Sequence, residues 1–368
     1  MERVCITGGG GYFGQSVAAE FQKEGFHVNL LDMFFEDTPQ NITLDEKKLT
    51  KFKGSILDEK LLEESLKDCT SCVHIAAYGM GGNGALNKKL VFATNVDGTN
   101  LVIEKCQKYG IRRFINSSSV GVIFTDKELN FAKETQPYPK KYYSYYSESK
   151  AIAERLVKER NSASFTTVSL RYRGIFGPGE PRSTNRAAEI IYRGLFFAKI
   201  EHSQPAYTQF SGLYNTARAC FLADKAIRER PEQVGGKAYH IVDGGPPVES
   251  WRFFNPLCKV LNRSEPWLRL PFWLVFYFAW LSEIGHEYFG LPSTLLRLEV
   301  ALVGITNTYS IESARRDLDY NPIQNHDLTE VCAYYKKFYE TNPSFRLEWM
   351  KIFISLLIST FFIFYFFW

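Results

Sequence analysis

Nowhere in this 368-residue chain do Lys and Arg gather into a run or a stripe; 44 of them are scattered against 40 acids, for a net charge of +4. Nucleic acid is therefore a poor partner. Cysteine is scarce as well, seven residues spread along the chain, an odd number that argues against a disulfide framework and suits a reducing compartment. Cys69-Thr-Ser-Cys72 has CxxC spacing, yet no second pair and no His cluster accompanies it. No metal is expected there, and Cys72 is expected to point from a strand into the core. No cleavable leader is read, because the N-terminus passes straight into an apolar strand. The sequons Asn41-Ile-Thr and Asn262-Arg-Ser carry no weight for a body that stays out of the secretory lumen. No apolar run long enough to span a bilayer occurs before residues 352–368. With 45% hydrophobic and 23% charged residues, the chain can bury one sizeable core with a lobe.

What is present begins at the first residues. Val4-Cys5-Ile6 suits a buried parallel strand, and Gly8, Gly11 and Gly14 follow in a GxxGxxG spacing around Tyr12-Phe13. Glycine permits the tight strand-to-helix turn, lets backbone N–H groups approach a pyrophosphate, and lets the helix pack against the sheet. A helix over Gln15–Lys23 and a second apolar run, His27–Leu31, lead to Asp32. An acid about 20 residues on, at the end of the second strand, is the expected partner of the adenosine ribose hydroxyls. Asp32, Glu36 and Asp37, with no cation nearby, would repel a 2′-phosphate, so NAD is favoured over NADP.

To about residue 180 the chain alternates apolar runs with amphipathic ones, the pattern of an α/β doubly wound parallel sheet. Strands are expected at Arg3–Thr7, Val28–Leu31, Thr50–Lys53, Cys72–Ile75, Arg113–Asn116 and Thr166–Arg171, and helices at Lys60–Leu66, Val96–Tyr109 and Glu148–Arg160. Asp58, after the third strand, reads either as an acceptor for the adenine amine or as the cap of the next helix. His74-Ile75-Ala76-Ala77 ends the fourth strand on two small residues, where a cofactor can lie flat; His74 itself reads as a packed core histidine. Tyr78 to Gly84 is Gly-rich and borders the expected substrate side.

The chemistry converges on two short segments. Ser117-Ser118-Ser119 ends a strand, and Tyr146-Ser-Glu-Ser-Lys150 sets a phenol and an ammonium four residues apart on one helix face. Tyr has a reference pKa of about 10 and becomes a usable base only where a cation favours its phenolate. Lys150 supplies that charge, and a Ser hydroxyl can hold the substrate oxygen while Tyr146 moves the proton.

Together with Asn95-Val-Asp-Gly-Thr99 and Gly177-Pro-Gly-Glu180, these motifs come in the order and at the intervals of the extended short-chain dehydrogenase/reductases. The chain resembles most the 3β-hydroxysteroid dehydrogenase/isomerase family, nearest its family-42E members, over roughly residues 1–340. The likeness implies a Rossmann fold binding NAD through Gly8, Gly11, Tyr12, Phe13, Gly14, Asp32, Asp58, Ala76, Ala77 and Lys150. It makes Tyr146 the proton donor and acceptor, and gives Lys150 the nicotinamide ribose. Ser119, or in second place Ser118, would orient the carbinol or carbonyl oxygen, and Asn95 would support a proton relay through Lys150. Two departures stand out: Tyr172-Arg173 where similar proteins carry a Pro, and Gly212-Leu-Tyr-Asn215 where a His-Val-x-Asn pattern is usual.

Beyond residue 180 the alternation breaks. The expected organisation is an NAD-binding domain over 1–180, a smaller substrate lobe over 181–345 with helices at Ala187–Phe197 and Ala217–Arg230 and a strand at Ala238–Val242, and a hydrophobic C-terminal helix over 352–368. That last stretch is 17 uncharged residues preceded by Arg346 and Lys351, the short end of a membrane-spanning helix. It reads as a tail anchor in a membrane, the endoplasmic reticulum above others, with the catalytic body in the cytosol. Pro271 to Leu281 is 11 uncharged residues, too short to span, and reads first as a packed helix of the lobe and second as a helix lying in a membrane interface. The aromatic second half favours a small hydrophobic substrate, steroid- or sterol-like, whose hydroxyl or ketone exchanges a hydride with NAD. An NAD-retaining UDP-sugar epimerase or dehydratase, supported by Arg182, Arg186 and Arg193, and a non-catalytic NAD-binding membrane scaffold are the alternatives. A homodimer is left open.

Overall fold

The computed structural model of the protein describes residues 1–342 apart from 40, 294 and 324. The expected helix over 352–368 lies outside them. Each apolar run of the first half forms a strand: β1 Arg3–Thr7, β2 His27–Asp32, β3 Leu49–Lys53, β4 Ser71–His74, β5 Arg113–Ser119 and β6 Thr166–Tyr172. The helices between them are α1 Tyr12–Lys23, α2 Glu59–Leu66, α3 Gly98–Lys108 and α4 Tyr145–Glu159. Further on come α5 Leu213–Glu229 and β7 Lys237–Ile241. The strands pair in parallel in the order β7-β6-β5-β4-β1-β2-β3, so the order reverses between β1 and β4, where doubly wound sheets hold ligands at their carboxyl ends.

Runs apolar on both sides let the sheet bury both faces. On one, Val4, Ile6, Val28 and Leu30 pack with Phe21 of α1 and Phe221 of α5, whose rings meet edge to face at 5.6 Å. On the other, Cys5, Cys72 and Phe114 pack with Leu62 of α2 and Val102 and Cys106 of α3. Cys72 thus points inward from its strand.

The compact units are not contiguous in sequence. One comprises 1–176, 200–250 and 270–326; the other, among the described residues, 177–199, 251–269 and 327–342. The segments 200–250 and 270–326, which the sequence reading places in a 181–345 lobe, fold with the first unit instead. The reason is visible in β7, which pairs with β6 from Lys237↔Val168 to Ile241↔Tyr172 and so completes the nucleotide-binding sheet from far down the chain. The second unit holds helices Thr184–Tyr192, Asn255–Val260 and Thr329–Thr341, with Tyr192 stacked on Tyr339 at 3.9 Å.

The apolar segment after Pro271 forms α6, Phe272–Phe289, followed by α7, Arg297–Gly304. Both belong to the first unit, and α6 buries only Ala279 and Glu283. The expected packed helix of the lobe is thus a half-exposed helix that packs on α7. No described helix is long and apolar enough to cross a membrane.

Candidate active site

The glycine loop is built for close approach. Gly8 has φ +72°, and a Cβ on it would stand 2.6 Å from the Ala76 nitrogen; its N–H donates to the Leu31 carbonyl (2.8 Å). A Cβ on Gly14 would meet the Gly8 carbonyl and come within 2.6 Å of the Gly9 Cα, so α1 reaches the sheet only as glycine. At Gly11, which caps α1, the nearest atom to an added Cβ is 3.9 Å away. That open mouth at a helix N-terminus is the space a pyrophosphate requires. Phe13 sets its ring edge-on to Tyr172 at 5.2 Å, and the Tyr172 hydroxyl lies 3.1 Å from the Cys220 sulfur. A larger aromatic anchor thereby fills the position where similar proteins have Pro.

Asp32 is fixed at the end of β2 by N–H donors from Gly10 (3.0 Å) and Phe34 (3.3 Å). A carboxylate has about four lone-pair sites, which leaves acceptors for ribose hydroxyls. Glu36 does more than the sequence reading assigned to it. Its carboxylate accepts the Tyr12 N–H at 3.1 Å and so sits on a first-turn donor of α1, where a pyrophosphate would compete with it. Glu36→Ala is expected to tighten NAD binding a few-fold, the equivalent of the roughly 0.3–1 kcal/mol an anion gains at a helix N-terminus; calorimetric titration measures it. Asp58 is exposed and caps α2 by accepting the Leu61 N–H at 3.2 Å, which satisfies its capping reading. Ala76 donates its N–H to the Thr7 carbonyl (3.0 Å), bringing the Ala76-Ala77 end of β4 against the loop.

His74 is a core residue. Thr99 spends its proton on the Asn95 carbonyl (2.7 Å), so it accepts from His74 Nε2–H (2.9 Å), and Thr7 donates to His74 Nδ1 (2.7 Å). Burial, with Lys150 nearby, pulls the imidazole down to about 3, and it stays neutral. Asn95 lies on a π-helical turn, Ala93–Asp97, whose extra residue re-aims the side chain. Its amide clamps the Tyr78 backbone, accepting from Tyr78 N–H (2.7 Å) and donating to its carbonyl (2.9 Å), and donates to Ser149 Oγ (2.9 Å). The Gly-rich loop that begins at Tyr78 is thus held from its first residue.

α4 starts at Ser144, whose hydroxyl caps it by accepting the Ser147 N–H (3.1 Å), so Tyr146 falls in the first turn and Lys150 one turn on. Both are buried, 8% and 4% exposed. Lys150 Nζ donates to the Ser117 carbonyl at 2.5 Å, which ties α4 to the end of β5. Burial pulls its ammonium down to about 8, against the pull of Glu154. The alternation of β5 separates the two serines. Ser118 is buried and donates to Glu154 Oε2 at 2.5 Å; Ser119 is half-buried, opposite Tyr172 in register, with its Oγ accepting the Gly121 N–H at 3.1 Å. Ser118 is committed inward.

The sequence reading missed what lies beneath Lys150. Glu154, one more turn along α4, accepts from the buried Arg171 Nη2 (2.6 Å) and Ser118 and from the hydroxyl of the half-buried Tyr138 (2.6 Å). Its spacing, four residues after Lys150, is the signal that could have found it. The second departure also resolves: Gly212 N–H (2.8 Å) and Asn215 Nδ2 (2.7 Å) both donate to Asp243 Oδ1, and burial lifts that carboxyl to about 6. This contact anchors the start of α5.

Residues 5–272 match the model of the 3-beta hydroxysteroid dehydrogenase/isomerase family. The chain belongs to that family. Family membership makes it an NAD-dependent dehydrogenase/reductase, and the open mouth at Gly11 beside Asp32 fits that cofactor. Among relatives, short-chain dehydrogenase/reductase family 42E member 1 of Macaca fascicularis is 34% identical, the alignment covering 91% of this chain and 87% of that protein. The 3beta-hydroxysteroid dehydrogenase/Delta(5)-Delta(4) isomerase 1 of Caenorhabditis elegans is 31% identical over 87% and 76%. In fold, the family member superposes on the UDP-glucuronic acid 4-epimerase from Bacillus cereus in complex with NAD with a TM-score of 0.69, at 18% identity, covering 92% of this chain and 99% of that one.

Proposed function

We propose that this protein oxidises a hydroxyl, or reduces the corresponding ketone, on a steroid, sterol or similar lipid. The observation that carries the reading is the placement of Tyr146 and Lys150, buried one turn apart on α4, at the strand end that presents Ser119. Ser119 Oγ orients the carbinol oxygen. Tyr146, as phenolate, takes the hydroxyl proton; the electron pair left on the oxygen closes the carbonyl, and the hydrogen on the carbinol carbon departs with its bonding pair as hydride. Bound NAD supplies the acceptor for that hydride. Lys150, held by the Ser117 carbonyl, lowers the cost of the phenolate by its charge, and the clamp of Asn95 on Tyr78 keeps the neighbouring loop in place for a proton relay through Lys150. In the reducing direction each transfer runs backwards. The C. elegans relative, named for a 3beta-hydroxysteroid activity, supports the steroid class.

We also assign residues 352–368 to a membrane anchor in the endoplasmic reticulum with the body in the cytosol, on the strength of their 17 uncharged residues and the preceding Lys351. Incubating the full-length protein with NAD and a panel of hydroxysteroids, sterols and UDP-sugars, and following the absorbance of the reduced cofactor, tests the substrate class. Turnover of steroid or sterol is the expected result. Reaction with the UDP-sugars alone, with no net reduced cofactor, would sink the reading. Protease protection in isolated microsomes tests the orientation: the body is expected to be digested from the cytosolic side.

A further inference from the structure

Two arginines stand two residues apart at the carboxyl end of β6, and the interior treats them differently. Arg171 is paired with the Glu154 carboxylate. Arg173 is buried as well, at 8% exposed, and no carboxylate pairs with it among the described residues. Its Nε donates to Asn307 Oδ1 (2.9 Å), its Nη2 to the Leu302 carbonyl (3.1 Å), and its guanidinium lies 5.4 Å from the centre of the Phe210 ring. Both acceptors are neutral. A guanidinium carries five N–H donors; with Nε and one Nη2 hydrogen in use, the Nη1–Nη2 end is left without an acceptor.

Interiors hold buried charges paired, because an isolated one is costly. Burial pulls the Arg173 guanidinium below its ordinary value, whereas Arg171, though burial opposes it, is lifted by Glu154. The open end of Arg173 is also held in place rather than loose. Asn307, which fixes it, donates its own amide to the Leu302 (3.0 Å) and Ile305 (2.6 Å) carbonyls and accepts from Thr208 Oγ1 (2.9 Å). Two residues on from Asn307, the Tyr309 hydroxyl is buried without a partner, close enough for the charge of Arg173 to act on it. A fixed fork with a spare phenol nearby is the chemistry that receives a carboxylate.

Position decides which anion that is. Arg173 directly follows Tyr172, which lies opposite Ser119 in register, so it stands at the strand ends where the substrate is turned over. The pyrophosphate space at Gly11 follows β1, three strands from β6 in the sheet order, roughly 14 Å at about 4.8 Å per strand. The cofactor's phosphates therefore do not neutralise Arg173.

We propose that Arg173 is a specificity determinant whose Nη1–Nη2 end pairs with a carboxylate carried by the lipid substrate away from the reacting carbinol, which makes hydroxy-lipid acids the preferred class. The proposal rests on the lipid-substrate reading above and narrows it.

The test is calorimetric titration of the full-length protein, saturated with NAD, with hydroxysteroids bearing a side-chain carboxylate, each beside its methyl ester. The acid is expected to bind about 10- to 100-fold more tightly than the ester. Arg173→Met should bring that ratio to about one. Arg173→Lys keeps the charge but loses the fork, should lower the ratio several-fold, and decides the matter if the Met variant does not fold. Acid and ester bound alike by the parental protein, or a preference that survives these substitutions, overturns the proposal. Weaker NAD binding by Arg173→Met in the absence of any acid preference would put the guanidinium on the cofactor and overturns it too. Added acetate that tightens the ester to the level of the acid would mean that a free anion fills the site, and removes the assignment to substrate. Binding is read without turnover, so an acid preference in a protein that oxidises no steroid defeats the redox reading and leaves this one standing.

Discussion

Tyr146→Phe is expected to lower kcat by about 10²–10⁴, the usual worth of a positioned proton donor, while the dissociation constant for NAD stays unchanged. The substitution removes one oxygen and keeps the ring that helps fill the start of α4, where the Tyr146 side chain is buried and its carbonyl accepts from Ser149 Oγ at 2.9 Å. Nothing the cofactor loop uses is altered: Gly8 to Gly14 and Asp32 hold one another through backbone and carboxylate contacts. Steady-state kinetics on the best alcohol of the panel, paired with a fluorescence titration of NAD, separates the two quantities. Turnover at the parental rate would move the proton-transfer role to another group.

The second large effect concerns stability. Glu154→Ala should cost on the order of 3–5 kcal/mol, because it strands the Arg171 guanidinium in the interior; both side chains of the pair are 3% exposed. Urea unfolding followed by Trp emission measures it, and an unchanged midpoint would mean that the cluster relaxes onto water. Glu154→Gln, which keeps the shape, exposes a subtler role. Lys150 is held near 8 by burial, with Glu154 opposing the shift; Arg171 on β6 is paired to that same carboxylate, and His74 on β4 is neutral. Activity that needs the ammonium is therefore expected to fall as pH rises through about 8, and Glu154→Gln should move that limb to lower pH. The stability sign is opposite. Between about 8 and the ordinary 10.5 the unfolded chain holds a proton the folded one has released, so the contribution of Lys150 to stability rises with pH across that window.

Much of this was legible in the primary structure. The strand Arg3–Thr7 was read to the residue, and the others to within three at their ends, because buried parallel strands write themselves as continuous apolar runs between glycines. The cradle at Gly8 and Gly14 and the Tyr146–Lys150 face followed from local geometry. What stayed hidden was long-range. That β7 returns to the sheet depends on pairing across about 70 residues of intervening chain, which no local period encodes. Burial of Glu154 was invisible because an acid on a helix reads as solvated until its partners, Arg171 and Tyr138, arrive from other elements. Ser118 and Ser119 read alike until the pleat of β5 turned one inward. From Phe272 to Leu281 α6 is apolar on every side in sequence, so only packing reveals which half of it is left uncovered.

The hydrogen-bond chain from Thr7 through His74 and Thr99 to the Asn95 carbonyl joins the root of the cofactor loop to the clamp on the substrate-side loop. With its imidazole neutral down to about pH 3, that brace is chemically silent across the working range, whereas Lys150 is not. Acidity therefore acts on the site through the Lys150 ammonium and leaves the dimensions of this brace alone: the brace is a fixed mount, and the ammonium beside it is an adjustable setting.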